Sequence, residues 1–271
     1  MMRYISEAIN FEVIRWFALR AKAAYDQEAQ IKAVFPDTIR VSIVPGTDVQ
    51  YFLEFDPKAG EQIISIRGTD NLQNFKQDAE YIPSKNKQLH IYVHSGFDAD
   101  TYKVYLDILP FLRKELRVKL TGHSLGAAIS TLLMIYLHAD GFDIARSINF
   151  GQPKLTNKEG VNRYEFLPLT RVVDENDVVP LLPPVTLLDS LHGLYEHLGD
   201  EIILLEGPYY AYLEQHDAER KSVWSFWENI GEESVSEHYM ANYIKNLDSK
   251  LADALPVPYA QRETYINKQA E

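Results

Sequence analysis

Leu120-Thr121-Gly122-His123-Ser124-Leu125-Gly126-Ala127-Ala128-Ile129-Ser130 is the stretch that decides the fold. Its centre, Gly122 to Gly126, fits G-x-S-x-G, in which a serine sits on a sharp turn between a strand and a helix. Such a turn brings the backbone into close contact on both sides of the serine, so the positions two before and two after must be small. The flanks agree with this reading. Val118-Lys119-Leu120 can end a strand, and Ala127 to Leu137 is a run of Ala, Ile, Leu and Met suited to a buried helix.

Working outward, strands alternate with helices. Ile39 to Val44 and Val49 to Phe55 flank Pro45-Gly46-Thr47-Asp48 and read as a hairpin, and Gln62 to Ile66 follows as a central strand. Leu89 to Val93 is another short strand. A helical region runs from Ala99 to Leu116, broken or kinked at Pro110. Beyond the serine, Asp143 to Phe150 and Leu169 to Val173 read as strands, Glu201 to Leu205 as an edge strand, and the tail from Tyr209 as helical with an aromatic stripe. This pattern predicts an α/β fold with a mixed, mostly parallel sheet covered on both faces, in one domain spanning residues 1–271.

Composition narrows the function. Of 271 residues, 46% are hydrophobic and 24% charged, which suits a globular core. The net charge of −12 argues against nucleic acid, whose phosphates need clustered Lys and Arg. With no cysteine there is no disulfide framework and no thiolate metal site. Ala21-Lys22-Ala23 has the form of a signal-peptidase site, but Glu12, Arg15 and Arg20 interrupt the apolar run such a leader needs. Ile9, Val13, Trp16 and Phe17 recur at helical spacing instead, so an amphipathic first helix is expected, and with it a chain that is cytoplasmic or exported without a cleaved signal. No stretch has the length of a transmembrane helix.

A serine hydroxyl is a weak nucleophile at neutral pH and needs a histidine within hydrogen-bond reach, itself oriented by a carboxylate. In this fold class the chain order is Ser, then Asp or Glu, then His. Arg171 to Pro180 offers Asp174 at a strand end and Asp177 further out in the loop. Of the later histidines, His192 and His197 sit before a strand, His216 lies in a charged stretch, and His238 opens the last helix. His238 leads on position. Charge growing on a substrate carbonyl oxygen needs N–H donors: the backbone N–H of Leu125 is one, and Thr69, after the strand ending at Ile66, can supply another.

Together these segments resemble the class 3 lipases, the family of the filamentous-fungal triacylglycerol lipases. The likeness runs from Ile63 to about Leu247 through Ile66-Arg67-Gly68-Thr69, Val93-His94-Ser95-Gly96-Phe97, the serine motif, Phe150-Gly151-Gln152-Pro153, Arg171 to Pro180, and Glu237-His238-Tyr239 to Tyr243. The resemblance implies an α/β-hydrolase fold, Ser124 as nucleophile, Asp177 as acid, His238 as base, and Thr69 with Leu125 as oxyanion donors. It also implies a lid at about 70–78, with Leu72 and Phe75 as its apolar residues and Asp78 bracing the Thr69 hydroxyl. Three departures stand out: Asp174 where the family usually has Asn, Lys154 in place of an arginine, and a polar lid.

The activity implied is that of a serine carboxylester hydrolase, a lipase on acylglycerols. Its partner is a neutral lipid or small ester at a lipid–water interface, and no cofactor is implied. A phospholipase A1 or a feruloyl-type aryl esterase would use the same residues. A catalytically silent lipid-binding module is the reading from another class, and the presence of all three triad candidates weighs against it.

Overall fold

The structure is a computed structural model, in which residues 9–68, 83–175, 177, 179–181, 195–215 and 238–265 are described. Nine strands form the main sheet: β1 (Thr38–Ile43), β2 (Gln50–Asp56), β3 (Glu61–Ile66), β6 (Arg117–His123), β7 (Ile144–Phe150), β9 (Leu169–Asp174), β11 (Asp200–Leu204), β12 (Tyr209–Leu213) and β13 (Leu255–Pro256), adjacent in that order. The five from β3 to β11 run parallel, and the β1–β2–β3 meander and the β11–β12 pair are antiparallel. A parallel core of this kind is buried on both faces, and in β3 Ile63, Ile64 and Ile66 are buried together with Glu61, Gln62 and Ser65.

Two helical layers cover it. On one face α3 (Ser95–Ile108) and α4 (Leu125–Ala139) pack over Ile64, Ile66, Val118 and Leu120. On the other, α1 (Phe11–Ala23) and α6 (Met240–Asp248) pack over Ile148, Phe150, Val172 and Ile202. Short helices α2 (Glu28–Val34) and α5 (Lys158–Tyr164) complete the described set. A second sheet, β4 (Pro83–Asn86), β5 (Ile91–His94), β8 (Thr156–Asn157) and β10 (Tyr195–Glu196), has the order β10-β8-β5-β4.

Several expectations need correction. Glu201 to Leu205 is not an edge strand, because β12 and β13 extend the sheet beyond it. The chain from Tyr209 is not helical at first: Tyr209–Leu213 pairs with β11, since Tyr-Tyr-Ala-Tyr-Leu alternates between two cores. Tyr210 and Tyr212 join the α1 side, with Phe11 4.9 Å from the Tyr210 ring, while Ala211 and Leu213 face the other way. Trp224, Phe226 and Trp227 lie outside the described residues. Helix α3 starts earlier than expected, at Ser95, where His94 Nδ1 accepts the Phe97 N–H at 3.3 Å. It ends at Ile108, so of the two outcomes open at Pro110 the chain takes the break, and Leu109–Phe111 forms one 3-10 turn around Pro110. In α1 the buried stripe is Phe11, Ile14, Phe17, Ala18 and Ala21, with Val13 and Trp16 at its margin.

Candidate active site

Ser124 has φ 58° and ψ −128°, a left-handed backbone between the end of β6 and the first residue of α4. A non-glycine residue held there costs on the order of 1–3 kcal/mol. Its surroundings fix it: the Ser124 N–H donates to the Phe150 carbonyl at 3.0 Å, and its own carbonyl accepts the Ala127 N–H at 2.9 Å. The need for small flanking residues is visible in the distances. A Cβ on Gly122 would lie 2.2 Å from the Gly126 oxygen, and one on Gly126 would lie 2.5 Å from the Ile66 oxygen.

Three strand ends converge on this turn. Gly68, after β3, approaches so closely that a Cβ there would lie 3.0 Å from Ser124 Cβ and 2.5 Å from the Tyr25 hydroxyl. Phe150-Gly151 closes β7. Beyond β9 the loop turns back at once, with the Asp177 N–H donating to the Asp174 carbonyl at 2.9 Å.

Asp177 and His238 are both buried and in contact: His238 Nδ1 donates to Asp177 Oδ2 at 2.7 Å. The same oxygen accepts the Tyr243 hydroxyl at 2.6 Å, and Oδ1 accepts the Val179 N–H at 2.9 Å. Burial pushes the Asp177 carboxyl up, but the adjacent imidazole and these three donors outweigh it and hold it below the usual carboxylate range. Asp174, the other aspartate left open by the sequence, is turned away, with Oδ2 accepting from Asn246 Nδ2 at 3.0 Å. The geometry therefore brings Asp177, and not Asp174, onto His238.

Ser124 Oγ and His238 Nε2 are both closed to solvent, and among the described residues neither has a hydrogen-bond partner. A nucleophile–base contact that tightens only with substrate bound leaves such a pair open beforehand. Leu125 begins α4, where first-turn N–H groups point out of the helix without intrahelical acceptors. Thr69, Leu72, Phe75, Asp78 and the whole lid span 70–78 lie outside the described residues, as do His192 and His216. His197 is buried elsewhere, its Nε2 donating to the Pro180 carbonyl at 2.7 Å; burial and the nearby Arg171 and Lys154 keep it neutral. Among the described residues no group of three or more His, Asp and Glu could hold a metal ion.

The structure adds residues that sequence reasoning did not single out. His123 occupies the variable position before the serine, and its ring centroid lies 4.4 Å from that of His238. Its Nε2 is 2.7 Å from the His238 carbonyl and its Nδ1 is 2.7 Å from the Tyr25 hydroxyl. A carbonyl can only accept, so Nε2 carries the proton and Nδ1 accepts from Tyr25. Burial and the neighbouring His238 push His123 down to about 3, so it stays neutral. Tyr243 and Gly151 also border the Asp177–His238 pair. No spacing rule links Tyr25 to a site 98 residues away.

A serine at a positive-φ turn between a central parallel strand and a buried helix, with a buried Asp–His pair beyond it in chain order, is the arrangement of the α/β-hydrolase fold. Residues 63–187 match the family Lipase (class 3). It is 28% identical over 172 residues to the secreted mono- and diacylglycerol lipase 1 of Fusarium solani, covering 60% of this chain and 49% of that protein. It is 25% identical over 115 residues to a chloroplastic phospholipase A1 of Arabidopsis thaliana, covering 38% of this chain and 18% of that one. The chain thus spans half or less of these curated relatives. Lipase II from Rhizopus niveus shares the fold, with a TM-score of 0.63 at 23% identity over 73% of this chain and 81% of that chain.

Proposed function

We propose that the chain is a serine carboxylester hydrolase, a lipase acting on neutral acylglycerols at a lipid–water interface. The observation that carries this reading is the buried His238–Asp177 hydrogen bond of 2.7 Å beside a serine held at φ 58°. Ser124 Oγ attacks the ester carbonyl carbon while His238 Nε2 takes its proton. Asp177, ionised and held by three donors, fixes the tautomer that leaves Nε2 free to accept and stabilises the imidazolium that forms. The oxyanion is received by the Leu125 N–H and by Thr69, which Asp78 braces. His238 returns its proton to the leaving alcohol, and water, deprotonated by the same ring, releases the acid from Ser124. Residues 70–78 act as a lid over this site, with Leu72 and Phe75 as its lipid-facing side chains, and the 271 residues act as one hydrolase domain.

The relative named for mono- and diacylglycerol hydrolysis supports the acylglycerol reading, and the net charge of −12 disfavours an anionic bilayer as the substrate surface. The relative named as a phospholipase A1 favours the second reading, since ester cleavage on a phospholipid uses the same residues. A stoichiometric organophosphonate adduct should map to Ser124, and Ser124→Ala should lower ester hydrolysis on the order of 10⁴-fold or more with the fold intact. Rates on tributyrin, a monoacylglycerol and a neutral phospholipid separate the two readings. An adduct on Ser130, or an active Ser124→Ala chain, sinks the assignment.

A further inference from the structure

Beyond α6 the chain turns back along the sheet. The Leu255 N–H donates to the Pro208 carbonyl at 2.9 Å and the Val257 N–H to the Tyr210 carbonyl at 2.8 Å, and β13 runs parallel to β12. A stretch of 3-10 helix, Tyr259–Tyr265, follows, and the Tyr265 carbonyl accepts the Glu206 N–H at 2.9 Å. Val257, Tyr259 and Tyr265 pack over Ile203, Leu205, Ala211 and Leu213, with the Tyr265 ring 4.3 Å from that of Tyr209. Residues 255–265 lie outside the span that matches the lipase family.

The segment reaches the loop that carries Asp177 through Arg262. Its Nε donates to Glu175 Oε1 at 2.7 Å, with the two side chains 13% and 12% exposed. The Tyr259 ring backs the guanidinium at 4.0 Å, and the Tyr259 carbonyl accepts from Nη1 at 3.4 Å. The other acid beside Arg262, Glu263, is 3.9 Å away and 72% exposed, where solvent screens it. Burial pushes the Glu175 carboxyl up to about 7, Arg262 holds it from rising further, and Glu201 and Asp174 add to the rise. Glu175 is the second residue of the four-residue turn 174–177, in which the Asp177 N–H donates to the Asp174 carbonyl at 2.9 Å. The Glu175 N–H donates to the Leu204 carbonyl at 3.3 Å. One residue separates Glu175 from Asp177, so a shift of the first carries the second.

We propose that the Arg262–Glu175 ion pair is a clamp by which the segment after α6 fixes the turn presenting Asp177, which makes Arg262 a positioning residue for the carboxylate that orients His238. This rests on the hydrolase reading only for its effect on rate. The clamp itself can be read from the amides of the turn, without activity.

The test is amide hydrogen exchange at Asp177 and Val179, followed by NMR in the full chain, alongside kcat and KM on a soluble p-nitrophenyl ester. Both are measured at a pH above the Glu175 value, where the pair is charged. The two amides report on the turn, since Asp177 donates to the Asp174 carbonyl and Val179 to Asp177 Oδ1. Arg262→Gln should speed their exchange about 10-fold and leave the Ile64 and Leu120 amides of the central strands unchanged. It should also lower kcat about 10-fold with KM nearly unchanged, because a displaced orienting group costs rate rather than binding. Arg262→Lys, which keeps the charge, should recover part of that rate. Glu175→Gln should match Arg262→Gln, and the two combined should be no worse than either alone. Glu175→Gln leaves no buried carboxylate unpaired, so it carries the same test if Arg262→Gln does not fold. Unmoved exchange at Asp177 and Val179, equal acceleration in the central strands, no recovery in Arg262→Lys, or losses that add in the double variant overturns the proposal. Exchange that speeds as expected in a chain without esterase activity overturns the hydrolase reading and leaves the clamp standing.

Discussion

His123 Nε2 donates to the backbone carbonyl of His238 at 2.7 Å, so the residue before the candidate nucleophile holds the candidate base by its main chain. Tyr25, from the turn after α1, secures the other ring nitrogen at 2.7 Å. Three distant segments are thus tied together beside Ser124. The ring must stay neutral to do this, because a charged His123 would face the imidazolium that forms on His238 during turnover.

Tyr25→Phe should therefore impair rate without altering any group that touches substrate. The variant leaves His123 Nδ1 buried without a donor, a cost of roughly 1–3 kcal/mol. Part of that should appear as lower thermal stability, and part as a drop in kcat of about 10-fold with KM nearly unchanged. Steady-state kinetics on a soluble ester checks it, and a change confined to KM would contradict it.

The two aspartates should separate cleanly. Asp177→Asn removes the charge that orients His238 Nδ1 and stabilises its protonated form, and should cost on the order of 10³–10⁴ in kcat. Asp174→Asn should cost less than about 10-fold, because its carboxylate contacts Asn246 and not the imidazole. Parallel kcat measurements decide between them, and a larger loss in Asp174→Asn would reverse the assignment.

What was legible in the sequence had a local steric cause. Gly122 and Gly126 are required by contacts of 2.2 and 2.5 Å, so the elbow shows itself in five residues. The parallel strands were visible through their apolar residues, such as Ile63, Ile64 and Ile66, which are buried. The acid was not resolvable from spacing, since Asp174 and Asp177 differ only in how the loop turns after β9. Tyr209–Leu213 was misread because its aromatics suit a helical stripe as well as a two-sided strand, and the pairing partner that decides the matter lies in β11. The two-residue strands of the second sheet are too short to carry a period at all. Tyr25, His123 and Gly151 act through contacts between distant segments, which no local pattern records.

Acid should destabilise the fold through its buried histidines. Burial pushes His94 down to about 4 and His123 to about 3, and His197 lies well below its ordinary value. The unfolded chain binds protons on these rings as pH falls below about 6.5, and the folded chain does not, so stability is lost from there toward pH 4. Glu175 acts in the opposite direction, since burial raises it to about 7 and the folded state takes up its proton first. Its contribution is complete near pH 4.5, and the three rings outnumber it. Urea unfolding should show a midpoint falling between pH 6.5 and 4, and His94→Gln, which keeps an acceptor for the Phe97 N–H, should flatten that fall. An unchanged slope in His94→Gln would mean that His94 is protonated in the fold.

Gly151 gives the sharpest test of how tightly the Asp–His pair is packed. It ends β7 at φ +55°, and a Cβ there would lie 2.7 Å from His238 Cε1, 2.9 Å from Asp177 Oδ2 and 3.0 Å from His238 Nδ1. Real Cβ atoms do not approach so closely, so in Gly151→Ala the imidazole, the carboxylate or the strand end must move. A displacement approaching 1 Å at a reacting group costs about 10²-fold in rate. The substitution also adds backbone strain of order 1–2 kcal/mol, because alanine disfavours positive φ. Gly46→Ala separates the two effects: Gly46 has φ +73° with nothing within 4 Å of its would-be Cβ, so it carries the strain and no collision. Both variants should lose comparable stability in urea unfolding, but only Gly151→Ala should lose kcat, and its organophosphonate labelling at Ser124 should slow by a similar factor. Equal kcat in the two variants would show that the pair has room to spare and that Gly151 is there for the turn alone.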